Sequence, residues 1–440
     1  MLETIRNAWR IDDLRKKMIY TLMIIMVFRV GAAIPVPFMN PHVLTELASG
    51  GSAGLIGYID ILTGGAFSRA TLFAMSISPY ITASIIMQLL TVAIPALEAL
   101  QKEGADGRKK LAKITRYATI GLALLQSIAY YIMNYNLYSQ NYGDFAVRYR
   151  GGFEGWFSAV VIVSCFTAGA MLIVWLGESI DKQGIGNGIS IILFAGIISR
   201  GPSTIYMLRH YWERALLGDR QYYFLVPFII IMFIFVIGAI VLMTNAERRI
   251  PVQYAKRVVG RKMYGGQSSY IPIKVTMSGV MPIIFASAIL SIPTMIVGFA
   301  RMDTSRGIGM VLNWLSYDTP LYAAFYLFLI IAFNYFYVAI QYNPLEMANN
   351  LRKNNGTIPG IRPGKPTSDF ISKVIAKITL VGALFIAAIA IIPVLLAGFA
   401  QMPGLGLGGT SIIIIVGVAL DTVRQLESQM MMRHYKGFLE

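Results

Sequence analysis

Long apolar runs alternate with short polar loops over the whole chain, and this pattern predicts ten membrane spans. They fall at residues 18–34, 70–94, 114–133, 156–178, 185–207, 222–244, 273–297, 320–342, 372–397 and 411–426. Their lengths bracket the roughly 20 residues that a helix needs to cross a bilayer. The tenth is the least hydrophobic at its end, where Asp421 and Arg424 enter. Residues 1–17 read as an amphipathic interfacial helix, with Leu2, Ile5 and Trp9 on one side and Arg6, Arg10, Arg15, Lys16 and Lys17 elsewhere. The domain plan is an N-terminal half at 18–207, an external connection at 208–221 and a C-terminal half at 222–426. The loops 245–272 and 343–371 and the tail 427–440 complete it.

One stretch departs from a simple span. Residues 55–62 are apolar but far too short to cross. Gly64 and Gly65 follow, and then comes a long apolar helix opening near Ala70. At ~1.5 Å per residue, residues 70–94 would extend about 37 Å. A short piece, a glycine break and a full span form the pattern of a re-entrant membrane helix. Asp60 lies within the short piece, which points to an aqueous cavity rather than lipid as its surroundings. Along the helix, Ile77, Ile81, Ser84, Gln88 and Thr91 are spaced four, three, four and three apart and share a face. The polar end of that stripe fits either ordinary hydrogen bonding between neighbouring helices or a seam with a function of its own.

The motif P-x-I-x-A-S-x-I occurs at Pro79–Ile86 and again at Pro282–Ile289, within the second and seventh predicted spans. Ten spans divide into five and five. Because five is odd, a duplicated second half would be inverted in the membrane. The two motif-bearing spans then become symmetry mates, with Ile81 and Ile284 at equivalent depths. Lys and Arg set the orientation. One side collects the basic N-terminus, Lys102, Arg108, Lys109, Lys110, Lys182, Arg248, Arg249, Lys256, Arg257, Arg261, Lys262, Arg352, Lys353, Arg362 and Lys365. The other has Arg69, Arg148, Arg150, Arg301 and Arg306, plus an anomalous group at Arg200, Arg209, Arg214 and Arg220. The bias puts both termini on the cytoplasmic side.

Composition agrees with an all-α polytopic membrane protein. Of 440 residues, 56% are hydrophobic and 14% charged, where soluble globular chains carry about 25% charged residues. The mean hydropathy is +0.61. The net charge of +16 makes the placement of the positive residues informative. The one cysteine, Cys165, lies in an apolar run and says nothing about redox compartment. The charged start of the chain does not read as a signal peptide.

Four stretches in order carry a resemblance: GGAFSRATLFAMSISPYITASIIMQLL from Gly64, GIGNGISIILFAGI from Gly184, ERRIPVQYAKR from Glu247 and NPLEMANNLRKNNGTIPGIRPG from Asn343. On these the chain resembles the SecY family, the channel subunits of the bacterial protein translocon and relatives of eukaryotic Sec61 alpha. The resemblance covers nearly the whole sequence. It implies two inverted five-helix halves closed like a clam-shell around an hourglass pore, with an external plug and a lateral opening to lipid. The function implied is passage of unfolded secretory polypeptides across the cytoplasmic membrane and release of transmembrane segments sideways.

Residue by residue, the resemblance assigns the plug to residues 55–67, with Leu55, Ile56, Tyr58, Ile59, Asp60, Ile61, Leu62, Gly64 and Gly65. It assigns the pore ring to Ile77, Ile81, Ile189, Leu193, Ile284 and Ile414, with Leu193 where isoleucine is common in the family. A collar of alkyl chains resists ion flow when empty and adapts to any passing side chain without binding it. Ordinary core packing is the other reading of such isoleucines. The lateral opening would run between the second and seventh spans, edged by the third and eighth, with Ser84, Gln88, Thr91 and Ser287 at the seam. The basic loops, through Arg261, Lys262, Arg352, Lys353, Arg362 and Lys365, would dock the ribosome or the SecA motor ATPase. Basic tips suit phosphate backbones without base reading, although juxtamembrane cations also serve topology and anionic lipid. Arg362, within Gly360-Ile361-Arg362-Pro363-Gly364, matches a family position important for motor-driven export. The implied partners are SecE, SecG, SecA, the ribosome, signal sequences, nascent chains and membrane lipids.

Other patterns carry no chemistry. Gly404-x-Gly406-x-x-Gly409 fits the dinucleotide spacing but joins two spans rather than a strand and a helix. The run from Gly360 to Lys365 falls one residue short of a phosphate loop, and Asn355-Gly356-Thr357 is a sequon on the cytoplasmic side. His42, His210 and His434 are far apart, and neither a cofactor nor an enzymatic constellation is expected. The rival class is a secondary transporter built on inverted repeats. It would call for ionisable groups at mid-membrane, whereas here Arg29 lies within the first span in a position to snorkel or pair, Glu178 and Asp421 lie near cytoplasmic ends, and the central ring is apolar.

Overall fold

The computed structural model describes residues 2–49, 60, 63–135, 137–139, 143–217, 220–254, 257–259, 262–264, 268–300, 319–400 and 409–436. The N-terminal half comprises α1 (Leu2–Trp9), α2 (Asp12–Gly31), α3 (Pro41–Ser49), α4 (Ser78–Ala93), α5 (Pro95–Lys102) and α6 (Ala105–Tyr135). A short hairpin of β1 (Tyr138–Ser139) and β2 (Asp144–Phe145) leads to α7 (Gly152–Gln183), α8 (Gly188–Ile198) and α9 (Gly201–Leu216). Then come α10 (Arg220–Asn245), β3 (Glu247–Tyr254), β4 (Arg257–Val259), β5 (Lys262–Tyr264), β6 (Ser268–Lys274) and α11 (Met281–Ala300). The chain continues through α12 (Pro320–Gln341), α13 (Pro344–Lys353), β7 (Gly356–Thr357), α14 (Lys365–Ala400) and α15 (Gly409–Lys436).

Among the described residues, five helical stretches are long and apolar enough to cross a membrane: Gly152–Gln183, Gly188–Leu216, Gln221–Asn245, Leu321–Lys353 and Lys365–Ile392. Ser78–Ala93 with Pro95–Lys102 adds a sixth if the 100° bend between them is one broken span. The bend falls at Ile94, whose extended backbone precedes Pro95, as the restriction on residues before proline requires.

Several expected boundaries move. The second span does not open at Ala70. Residues 70–72 instead pair with the end of the first span, where Val36 N–H donates to Ala70 O at 3.0 Å and Leu72 N–H to Ile34 O at 2.9 Å. Ala70 has φ +46° and Ser76 φ +49°, and α4 starts only at Ser78 with Pro79 in its first turn. The seventh span does not begin at Ile273, which lies in β6; its helix starts at Met281. The fifth carries a short break at Ser199 and Arg200 and then runs on to Leu216, so residues 208–216 of the expected connection are helical. The N-terminal segment is two pieces. Here α1 ends at Trp9, and Arg15, Lys16 and Lys17 belong to α2. Rather than resting free on an interface, α1 packs on α15: Ala8 joins Leu14, Ile185 and Leu426 in one buried cluster, and the Thr4 hydroxyl donates to Glu427 at 3.1 Å.

One buried cluster is built only from the first half, including Val36, Ala70, Tyr130, Ile162 and Phe166. Another is built only from the second, including Ile240, Ile283, Tyr326, Ile386 and Ile412. A third joins the two, through Ile24, Ile77, Ile192, Ile414 and Val418. Close approach within the first half depends on glycine. A Cβ at Gly169 of α7 would lie 2.0 Å from the Leu72 carbonyl oxygen. The long cytoplasm-assigned loops are folded as well. A sheet of order β6-β3-β7 ties residues 247–274 to residues 356–357, over a core of Ile250, Val252, Ile273, Leu351, Ile358 and Ile371.

Candidate functional site

The six residues expected to form a ring meet in the joining cluster. Ile77, Leu193 and Ile414 are among its buried members, and Ile81, Ile189 and Ile284 pack against them half-buried. They come from α4 and the residue just before it, α8, α11 and α15. Each pair on one helix is a turn apart: Ile81 N–H donates to Ile77 O at 3.0 Å, and Ile189 and Leu193 follow the Asn187 cap of α8, whose side chain accepts from Ser190 N–H at 3.1 Å. Leu193, Ile284 and Ile414 also line a cavity of about 630 Å³ whose wall includes Ile240, Phe385 and Ile389. Lys274, Asp421, Arg424 and Gln425 give the same cavity its charged and polar lining. The six clustered side chains are all aliphatic and themselves offer no ligand for an ion. Among the described residues no three His, Cys, Asp or Glu side chains gather as a metal site.

The two helices that carry the shared motif begin alike. Pro79 and Pro282 are each the second residue of their helix. Ser76 and Gly279, both with positive φ, each stand two residues before the helix start. Helices α4 and α11 pack together, as a seam between the second and seventh spans requires. Within the polar stripe, Gln88 Nε2 donates to Ser84 Oγ at 3.3 Å and Thr91 Oγ1 to the Gln88 carbonyl at 2.7 Å. The bond from Gln88 to another helix goes to Tyr337 of α12, whose hydroxyl donates to Gln88 Oε1 at 2.7 Å. Ser287 donates to its own helix at Ile284 O, 2.9 Å away. The polar stripe's bond to another helix therefore runs to α12 through Tyr337, which nothing in an aromatic-rich helix singled out in the sequence.

Of the expected plug, Asp60, Gly64 and Gly65 are described; Leu55, Ile56, Tyr58, Ile59, Ile61 and Leu62 lie outside the described residues. Asp60 does not face water as expected. It is 3% exposed, and its carboxylate pairs with Arg200 at 2.8 Å and accepts from Ser68 N–H at 2.8 Å. Arg200 belongs to the group of positives that broke the charge bias, and this bond accounts for its position. Arg29, on α2, donates to the carbonyls of Ala195 and Gly196 at the end of α8.

Four of the six basic loop residues, Arg352, Lys353, Arg362 and Lys365, are exposed. Arg352 and Lys353 are exposed at the last turn of α13, where the helix dipole favours cations. Arg362 is exposed between Gly360 (φ +82°) and Gly364 (φ +106°), and its carbonyl accepts from Thr367 Oγ1 at 2.8 Å. Lys365, also exposed, opens α14. Lys262 falls in β5, and Arg261 lies outside the described residues. On β3, the hydrogen bond from Arg249 to Glu247, with the nearby Tyr270, raises the Arg249 pKa above its ordinary value.

A sequence profile of the SecY family matches residues 71–423. Protein translocase subunit SecY of Streptomyces coelicolor is 43% identical over 451 residues, covering 100% of both chains. The chain belongs to the SecY family. The fold of this SecY-family chain is also similar to two solved structures. One is a SecY whose plug domain stabilises the closed state of the translocation channel and maintains a membrane seal; the TM-score is 0.61 at 21% identity, over 94% of this chain and 92% of that one. The other is Sec61 in the canine ribosome-channel complex, with a TM-score of 0.59 at 19% identity over the same shares.

Proposed function

We propose that this SecY-family chain is the pore-forming subunit of the Sec translocon, a channel and not an enzyme. It passes unfolded secretory polypeptides across the cytoplasmic membrane and releases transmembrane segments into lipid. The observation that carries this reading is the meeting of Ile77, Ile81, Ile189, Leu193, Ile284 and Ile414 in one apolar cluster, three of them on the lining of the 630 Å³ cavity. Such a collar seals against ions while letting side chains of any chemistry slide past.

The architecture in this reading is ten transmembrane helices in two inverted halves, with both termini cytoplasmic. The matching helix starts at Pro79 and Pro282 and the two half-specific cores support it. Residues 55–67 serve as the plug. The seam between α4 and α11, edged by the Gln88–Tyr337 bond from α4 to α12, serves as the lateral gate, with Ser84, Thr91 and Ser287 beside it. The exposed cations Arg352, Lys353, Arg362 and Lys365, together with Arg261 and Lys262, form the docking surface for the ribosome and SecA. SecE and SecG are the membrane companions. A stalled secretory polypeptide carrying photo-crosslinkers tests this reading: adducts are expected at Ile81, Ile284 and Ile414. Adducts confined to the outer, lipid-facing sides of the helices would overturn it.

A further inference from the structure

We infer that the outward face of the β3–β6 sheet, carrying Arg249, Pro251, Tyr270 and Pro272, is an entry ramp along which an extended polypeptide lies on its way into the cavity. The ramp rests on the channel reading above and adds a surface to it.

Alternation along the two strands separates their faces. Ile250, Val252 and Ile273 point into the core shared with α13 and α14. Their neighbours Arg249, Pro251 and Gln253 on β3, and Tyr270, Pro272 and Lys274 on β6, are all exposed. The antiparallel register sets Glu247 opposite Lys274, Arg249 opposite Pro272 and Pro251 opposite Tyr270, so these side chains share one surface. Pro272 and Lys274 also belong to the lining of the 630 Å³ cavity, together with Met277 and Asp421. The face is therefore continuous with the cavity. At ~3.3 Å per residue, Tyr270 stands about 13 Å along the strand from Lys274, on the side away from the helices.

The chemistry of the face suits a chain whose sequence keeps changing as it passes. Arg249 Nε donates to Glu247 Oε1 at 2.7 Å, and the guanidinium carbon lies 4.7 Å from the centre of the Tyr270 ring. Two prolines and a tyrosine that is 51% exposed complete a floor of stiff rings. Such rings offer contact area with little rotamer freedom to lose, and a stacked guanidinium and ring faces accept side chains of many kinds. Glu247 compensates Arg249 and faces Lys274, so a phosphate backbone meets mixed charge here and finds its cations at Arg352, Lys353, Arg362 and Lys365 instead. The strand edge also favours release. Val275 N–H donates to Ala246 O at 2.9 Å, a register in which the backbones of Tyr270, Pro272 and Lys274 face away from β3. Pro272 has no N–H to give, so a passing chain that pairs with this edge is not held by a full ladder.

The test uses the full translocon complex holding a stalled secretory polypeptide. Tyr270→benzoylphenylalanine should form photo-adducts with that polypeptide at least five-fold more often than the same probe at Leu345, which is 57% exposed on α13. Tyr270→Ser combined with Pro272→Ser should slow export into inverted vesicles about three-fold, and Tyr270→Phe, which keeps the ring, should export at the parent rate. Equal polypeptide adducts at positions 270 and 345, adducts at 270 with the docked motor or ribosomal RNA alone, or parent-rate export by the double serine variant would each overturn the ramp. Polypeptide adducts to a probe at Ile414 with none at position 270 would overturn the ramp and leave the channel reading standing. Absence of polypeptide adducts at both positions would overturn the channel reading and the ramp with it.

Discussion

The Tyr337 hydroxyl donates to Gln88 Oε1 at 2.7 Å, joining α12 to the helix that carries the shared proline motif. The Tyr337 ring lies 5.1 Å from that of Phe285 on α11, so one side chain touches both edges of the proposed gate. A neutral hydrogen bond of this kind is worth about 1 kcal/mol net, close to a five-fold change in an opening equilibrium. Tyr337→Phe keeps the ring and deletes the donor. It should raise export of a reporter with a defective signal sequence by several-fold. Gln88→Leu should do the same, and the double variant should add little to either alone, as coupled partners behave. Fully additive effects would mean that the two residues act separately.

The collar makes a second expectation. Ile414 is 2% exposed and lies on the cavity lining with Ile284. An amide at either position wets a constriction that stays dry with alkyl chains. Ile284→Asn or Ile414→Asn should raise ion leak through the resting channel about ten-fold in planar bilayers and relax the demand for a good signal sequence. Unchanged conductance in both would remove these residues from the ring.

How much of this was legible beforehand depends on whether the signal was local. The six residues assigned to the ring were named from the resemblance of the runs they lie in; the structure brings them into one cluster, and five of them stand in α-helices. The start of α4 was not legible, because residues 70–77 are as apolar as a span. Only their backbone pairing with residues 34–36 takes them out of the helix. The apolar end of β6 blurred into α11 in the same way. Arg29 stood out as a charge inside a span, but its partners are main-chain carbonyls that no side-chain pattern reveals. Arg200 looked like an exception to the charge bias until Asp60 appeared beside it. Tyr337 is one aromatic among many on α12, and nothing in its spacing marks the one that faces Gln88.

Packing of the first half yields a third expectation. Gly169 of α7 faces the Leu72 carbonyl so closely that a Cβ would fall 2.0 Å from the oxygen. Both sides of that approach are backbone, so neither can yield by a rotamer change. Gly169→Val should destabilise the folded chain by about 2 kcal/mol or more and lower the thermal midpoint of the detergent-solubilised complex. Val160→Leu, at a site 45% exposed on the same helix, should leave the midpoint unchanged. Equal midpoints for the glycine variant and its parent would refute the close approach.

Arg362 gives the last. It is exposed on a turn held by two glycines with positive φ and by the Thr367 bond to its carbonyl, so its side chain projects from a rigid loop without supporting the core. The β6-β3-β7 sheet fixes that loop relative to Arg249 and Tyr270, which stack at 4.7 Å. Reversing its charge therefore changes what the surface attracts and leaves the fold alone. Arg362→Glu should reduce motor-driven export at least ten-fold in inverted vesicles while the membrane complex assembles at parent levels. Added salt should weaken parent docking as well, because exposed charges are screened over about 10 Å at 0.1 M. Arg362→Lys, which keeps the charge but loses the planar fork, should recover part of the rate. If that variant is as inactive as the glutamate, the guanidinium makes a directed bond to its partner; if Arg362→Glu exports normally, the residue is not part of the docking surface.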